Sequence, residues 1–556
     1  MKQLAIAVSL LAVSLAGCAA AQDGPVQSAG PVAADAPDLI VAISVDQLSA
    51  DLFEQYRPYF TDGLAKLQQG AVFQNGYQAH AASETCPGHS TILTGRHPAN
   101  NGIIANGWAD FTVARENKEI YCAEDATQVP QDAAGEYVPS AINLLVPTLG
   151  ELLKAASPGS QNVAVSGKDR AALMMGGKTA DAAYWWNGRQ FGPAARSEGD
   201  AAALGDVNGE IANALQSAED LAAYPVPEWC AARATPVIAP ARPIGDGRFA
   251  IEAGDARAFR ASPRLDEMTT KLAGNLIEVR GLGGDDVPDL LAVSYSATDY
   301  VGHAFGTNGL EQCIQIAQLD ATLGELFGYI EHIAGITDYA VVLTADHGGL
   351  DTPERARLQA QPEARRADPA LTPATMGARL GEELDLAGPV LLGESAAGDI
   401  YVDPALSAND KARVLDAARS AYFGHPDVQM VLTSAQIMAI ALPEGNPRDW
   451  SLIERLRASH YPGRSGDLIV LLKPGVTPIT DPSDYYVSTH GSPWDYDRRV
   501  PILFWRAGMT QFEQPLPVMT VDIAPTLAAM LGLELPAGTF DGRCLDLDPG
   551  EGTTCE

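Results

Sequence analysis

The stretch Tyr339-Ala-Val-Val-Leu-Thr-Ala-Asp346-His347-Gly348-Gly349 begins apolar and β-rich and stops at a carboxylate, an imidazole and two glycines. A short apolar run without polar alternation predicts a strand buried on both faces. The pattern recurs along the chain. Asp38-Leu-Ile-Val-Ala-Ile-Ser-Val-Asp46 stops at an Asp, Asn162-Val-Ala-Val-Ser-Gly-Lys168 stops at a Lys, and Leu290-Leu-Ala-Val-Ser-Tyr-Ser precedes Asp299. Asp467-Leu-Ile-Val-Leu-Leu and Pro501-Ile-Leu-Phe-Trp are further runs of this kind. Helical patterns lie between them, over Leu144 to Ala156 and Cys313 to Ala334. The alternation predicts an α/β fold, a largely parallel central sheet with helices on both faces. Such sheets bind ligands beyond the carboxyl ends of their strands, where this chain repeatedly places an Asp, a Lys or an Asp-His pair.

Two stretches, about 171–272 and about 351–465, break the pattern and read as insertions that cover or rim the site. With 556 residues, 37 Lys+Arg, 70 Asp+Glu and a net charge of -33, the chain is a poor candidate for non-specific binding to nucleic acid or anionic lipid. We expect no nucleic-acid-binding module. At 46% hydrophobic it can bury a large core, which excludes global disorder.

Residues 1–18 read as a signal sequence: Lys2 is the basic start, and Leu4 to Ala16 is an apolar core too short to span a bilayer comfortably. Leu15-Ala-Gly-Cys18 resembles a bacterial lipobox, which makes Cys18 a possible lipid anchor. Ordinary cleavage near Ala21-Gln22 is the competing reading. Residues 19–37 are small, polar and Pro/Gly-bearing, which suits a flexible tether, and residues 38–556 read as a single catalytic domain. The expected location is outside the cytoplasm, in a bacterial periplasm or on an outer membrane as a lipoprotein. Cys86, Cys122, Cys230, Cys313, Cys544 and Cys555 then form an even set suited to disulfides. Of the fifteen possible pairings, we expect the sequential one, 86–122, 230–313 and 544–555.

Asp46, Asp299, Asp346, His303, His347 and His490 make an oxygen/nitrogen set at strand ends, and zinc suits that mixture. Asp299 and His303, four residues apart, share a face if their segment is helical. Thr85, in Ser83-Glu-Thr-Cys-Pro-Gly-His-Ser90, stands where a helix opens. It either caps that helix or presents a hydroxyl where unpaired N–H groups favour phosphate. His80, His89, His97, His332, His425 and His460 lack such context and read as structural.

Thr85-Cys-Pro-Gly-His-Ser, Asp299-x-x-x-His303, Asp346-His-Gly-Gly and Thr489-His490-Gly-Ser together resemble the alkaline phosphatase superfamily. Val521-Asp-Ile-Ala-Pro-Thr-Leu-Ala-Ala-Met-Leu-Gly is similar to its closing helix. Lys168-Asp-Arg170 and the Asn106 segment carry a closer resemblance to bacterial phosphate-irrepressible alkaline phosphatases, which use a Thr nucleophile. The resemblance covers Asp38 to Asp541. It implies two zinc ions, one on Asp46, Asp346, His347 and Thr85, the other on Asp299, His303 and His490. It also implies that Thr85 is the nucleophile and that Asn106, Lys168 and Arg170 bind the phosphate.

The implied activity is hydrolysis of phosphate monoesters through a phosphothreonine, with broad specificity because the contacts address phosphate. The implied partners are small phosphate monoesters; the oligomeric state is left open. A monoester exposes three charged oxygens that two adjacent cations can meet, whereas a diester exposes two. Lys168 and Arg170 therefore favour monoesters over the phosphodiesterase and phosphonate hydrolase alternatives. Thr85 cannot become the formylglycine of a sulfatase. A non-catalytic zinc- or phosphate-binding lipoprotein is the remaining alternative.

Overall fold

The computed structural model describes residues 32–33, 35–129, 137–216, 219–220, 224–240, 242–550 and 552–555. The signal sequence, the lipobox at Cys18 and most of the tether lie outside the described residues.

The strand Leu39–Val45 is the centre of a ten-stranded sheet and is buried throughout. It pairs in parallel with Asp289–Tyr295 on one side and Tyr339–Thr344 on the other. Asn162–Ser166 and Ala182–Trp186 extend the parallel set. Leu39, Val41, Ile43 and Val45 enter one core, while Ile40 and Ala42 enter the other. Burial on both faces is why these runs carry almost no polar residues. Arg264–Arg280 and Leu310–Gly328 cover the first face. Thr85–Thr94, Leu149–Ala156, Asp169–Gly176 and Ile523–Met530 cover the second.

The central sheet is largely parallel, as expected, with antiparallel pairing at Arg499–Arg506, and two further expectations are corrected. Arg499–Arg506 joins the main sheet but runs antiparallel to Tyr339–Thr344 and to Ala71–Tyr77. Leu468–Leu472 does not join it. That strand is the interior of a separate antiparallel sheet, ordered Leu391–Leu392, Gly398–Val402, Leu468–Leu472, Val428–Thr433. With the helices Pro373–Leu384 and Ala408–Phe423 it encloses its own core of Leu380, Ile400, Val414, Tyr422 and Val470. This cap therefore runs past residue 465. The stretch from about 171 to 272 is divided as well, because most of Asp169–Gly176 and all of Ala182–Trp186 belong to the main layers rather than to an insertion. An apolar run reports burial on both faces but not which sheet supplies the neighbours.

The three disulfides pair Cys86 with Cys122, Cys230 with Cys313, and Cys544 with Cys555, as expected. Among the described residues no helix is long and apolar enough to cross a membrane.

Candidate active site

The parallel strands deliver their terminal side chains to one cleft. Asp46 follows Leu39–Val45, and Asp346 and His347 follow Tyr339–Thr344. Asp299 and His303 lie on the helix Ala297–Phe305, which opens two residues after Asp289–Tyr295. Their one-face placement follows from the four-residue spacing. His490 arrives on the loop after the cap. Thr85 is the first residue of its helix, and Glu84, not Thr85, occupies the cap position. A Cβ on Gly88 would collide with the Asp346 carbonyl, so glycine there lets the Thr85 helix press against the strand end.

The imidazoles are oriented alike. His303 Nδ1 donates to the Ser488 carbonyl at 2.7 Å, His347 Nδ1 to that of Gly348 at 2.8 Å, and His490 Nδ1 to that of Ser83 at 2.8 Å. A carbonyl can only accept, so each Nε2 lone pair is left for the cleft. His303 Nε2 is 3.2 Å and His490 Nε2 3.5 Å from Asp299 Oδ1. His347 Nε2 is 3.2 Å from Asp346 Oδ2 and 3.5 Å from Asp46 Oδ1. His347 Nε2, Asp346 Oδ2 and Asp46 Oδ1 are buried and make no protein hydrogen bond. Buried polar atoms left in this state are costly, and a shared cation satisfies them together. Among the described residues two groups of donor atoms are close enough to hold a metal ion, Asp299/His303/His490 and Asp46/Asp299/His347. Asp299 stands in both, where the sequence assigned it to one.

Burial pushes the Asp46 carboxyl well above its ordinary range, reinforced by Asp299 and Asp346. At Asp299 burial is outweighed by His303 and Lys168, and at Asp346 by His347 and His89; both stay low. Burial lowers His347 and His490, which keeps them neutral as metal ligation requires. Three buried carboxylates this close need positive charge, and divalent ions at the two donor groups would supply it.

Lys168 Nζ lies 2.6 Å from Asp46 Oδ2, 2.5 Å from Asp299 Oδ2 and 3.5 Å from Thr85 Oγ1. Arg170 Nη2 is 3.3 Å from the same hydroxyl. Asn106 Oδ1 accepts from the Cys86 N–H at 2.9 Å, which leaves its amide nitrogen as the free donor end. All ten side chains singled out in the sequence are thus brought to one cleft.

The sequence did not single out the residues that position them. Gln47, in the left-handed region at φ 69°, donates its N–H to Asp346 and its amide to Asp299. Glu84 accepts from the Asn106 N–H at 2.8 Å. The Cys86–Cys122 disulfide ties the Thr85 helix to the segment after Asn106, whose carbonyl accepts from the Cys122 N–H. Tyr121 accepts from Arg170 at 3.5 Å and donates to Asp169 at 2.8 Å, and Tyr137 donates to the other Asp169 oxygen. His89, read as structural, contacts Asp346 at 3.1 Å and Ser294 at 2.9 Å. Adjacency to Thr85 could have flagged Glu84 and adjacency to Asp46 could have flagged Gln47; nothing local marks Tyr121.

A parallel sheet with this Asp/His set at its strand ends and a Thr at a helix start defines a member of the alkaline phosphatase superfamily. The family model for type I phosphodiesterase / nucleotide pyrophosphatase matches residues 40–493, and the chain belongs to that family. It is similar to alkaline phosphatase PhoK of Sphingomonas sp, 50% identical over 94% of this chain and 93% of that protein. To alkaline phosphatase PhoD of Zymomonas mobilis subsp. mobilis it is 47% identical, over 93% and 89%. The fold matches the crystal structure of wild-type alkaline phosphatase PafA at TM-score 0.77 and 24% identity, over 92% of this chain and 98% of that one. PafA has also been solved with one Thr, one Asn, one Lys and one Arg replaced.

Proposed function

We propose that this protein is an alkaline phosphatase that hydrolyses phosphate monoesters of broad range, with Thr85 as nucleophile and two zinc ions as cofactors. The observation that carries the reading is the pair of cations at the nucleophile: Lys168 Nζ and Arg170 Nη2 both lie within 3.5 Å of Thr85 Oγ1. The similarity to relatives named alkaline phosphatases supports it. So does the PafA variant, whose replaced Thr, Asn, Lys and Arg have the same sequence separations as Thr85, Asn106, Lys168 and Arg170.

Asp46, Asp346 and His347 with Thr85 would hold one ion, and Asp299, His303 and His490 the other. Zinc bound there would supply the charge that ionises the Thr85 hydroxyl, stabilises the departing alkoxide and ionises a water. Thr85 Oγ1 attacks phosphorus in line, the bond to the alcohol oxygen breaks, and the phosphoryl group is carried on Thr85. Water then attacks the same phosphorus from the vacated side and releases inorganic phosphate and free Thr85. Arg170 pairs with the non-bridging oxygens in a fork, Lys168 adds a point charge, and the Asn106 amide donates to them. Burial holds His347 and His490 below the ordinary imidazole range, against the opposing effect of the carbonyls that accept from their Nδ1–H groups.

This reading takes residues 1–18 as a signal sequence, with Cys18 a lipid anchor if the lipobox is used. It takes 19–37 as a tether and 38–556 as one catalytic domain with its caps, exported to the periplasm or outer membrane. Three disulfides support an oxidising compartment. A phosphodiesterase is the second reading, favoured by the family's own description. Zinc-loaded enzyme assayed with p-nitrophenyl phosphate and with its bis-ester decides between them. We expect much faster monoester turnover; parity or the reverse order overturns the proposal.

A further inference from the structure

The cleft does not end at the catalytic set. A cavity of about 390 Å³ runs from His490, Thr489 and Glu84 to the cap sheet. Ile104, Trp108, Leu392, Tyr401, Leu472 and Trp494 give it an apolar wall. Glu84, Glu119, Glu394 and Asp399 border it, and among the described residues no Lys or Arg lines it. A hydrogen bond that the protonated Glu394 carboxyl donates to Glu119, together with burial, pushes Glu394 up to about 8. Two further wall residues have unmet polar atoms. His460 Nδ1 and Asp497 Oδ1 have no protein partner although those residues are only 2% and 1% exposed.

The position of the cavity assigns its occupant. In-line displacement puts the leaving oxygen opposite Thr85 Oγ1. An ion held by Asp299, His303 and His490, the set without Thr85, would stabilise that oxygen, and His490 borders the cavity. Lys168 and Arg170, which face the phosphoryl oxygens, do not line it. We propose that this cavity is the leaving-group subsite, and that it selects leaving groups with an apolar body carrying hydrogen-bond donors or positive charge. The inference rests on the phosphatase reading above. An ammonium on the leaving group meets the Glu and Asp side chains of a wall that, among the described residues, carries no Lys or Arg, whereas a carboxylate there is repelled.

The test uses zinc-loaded full chain and three esters whose phenols leave with similar ease: phenyl phosphate, tyramine phosphate and 4-(2-carboxyethyl)phenyl phosphate. We expect kcat/KM for tyramine phosphate to exceed that for the carboxyethyl ester by about tenfold at low salt, with the ratio shrinking as salt rises. In the double variant Glu119→Gln/Glu394→Gln the ratio should fall toward one while phenyl phosphate turnover stays within about twofold of wild type. Ala397→Phe, which fills the cavity, should depress tyramine phosphate turnover while inhibition by inorganic phosphate is unchanged. Turnover of phenyl phosphate with equal rates for the two substituted esters, or a ratio that survives the double variant, sinks the subsite alone. Absence of turnover for all three esters sinks the phosphatase reading and the subsite with it.

Discussion

Carboxylates reach the cleft from two sides and meet opposite treatment. At the sheet edge Asp46, Asp299 and Asp346 are buried, and every one has a His, a Lys or both within 3.5 Å. On the cap side Glu119, Glu394 and Asp399 line a cavity that no Lys or Arg enters among the described residues. The sheet edge holds charge in a fixed, compensated arrangement, which suits reacting atoms that must find it already in place. The cap side sets carboxyl groups against an apolar wall that carries no Lys or Arg among the described residues, which suits selection among whole substituents. On the proposed function and subsite, the two regions divide the substrate: the phosphoryl group would go to the sheet edge and the alcohol to the cap.

The sharpest way to break this division is Thr85→Ala. It should lower phosphatase activity by at least about 10⁴-fold while zinc content measured on the same sample is unchanged. Residual activity near wild type would remove the covalent route. Next comes the cationic pair. Lys168→Ala with Arg170→Ala should cost monoester turnover about 10²- to 10³-fold and diester turnover far less; equal losses would show that the pair does not set phosphate specificity. The smallest effect is expected at Tyr121→Phe, which removes the oxygen that meets Arg170 and the donor to Asp169. A rise in KM for p-nitrophenyl phosphate of about two- to tenfold, with zinc content unchanged, is the expected result. An unaltered KM would show that packing alone orients Arg170.

Much of the sheet edge was legible in the chain. Leu39–Val45 and Tyr339–Thr344 announced strands buried on both faces, and the polar residue ending each one marked the cleft. Asp299 and His303 announced a shared helical face through their spacing. The cap was less legible for a physical reason. Leu468–Leu472 has the composition of a main-sheet strand, yet it is buried by a second sheet and its own helices. Composition records the loss of water around a strand, not the identity of its neighbours. Arg499–Arg506 shows the same limit in direction, since parallel and antiparallel pairing can bury similar residues.

By itself, then, the sequence determined the α/β class, the strand ends as the candidate site and the identities of the groups that meet there. Those properties follow from local periodicity and from the donor and acceptor atoms that each residue type carries into any fold. Only the tertiary structure decided that Asp299 serves both donor groups, that Glu84, Gln47 and Tyr121 bond the side chains of the cleft, and that the cap closes an acidic apolar cavity beside them. These are contacts between residues tens to hundreds of positions apart, and distance along the chain carries no information about distance in space until the sheet and its cap are packed.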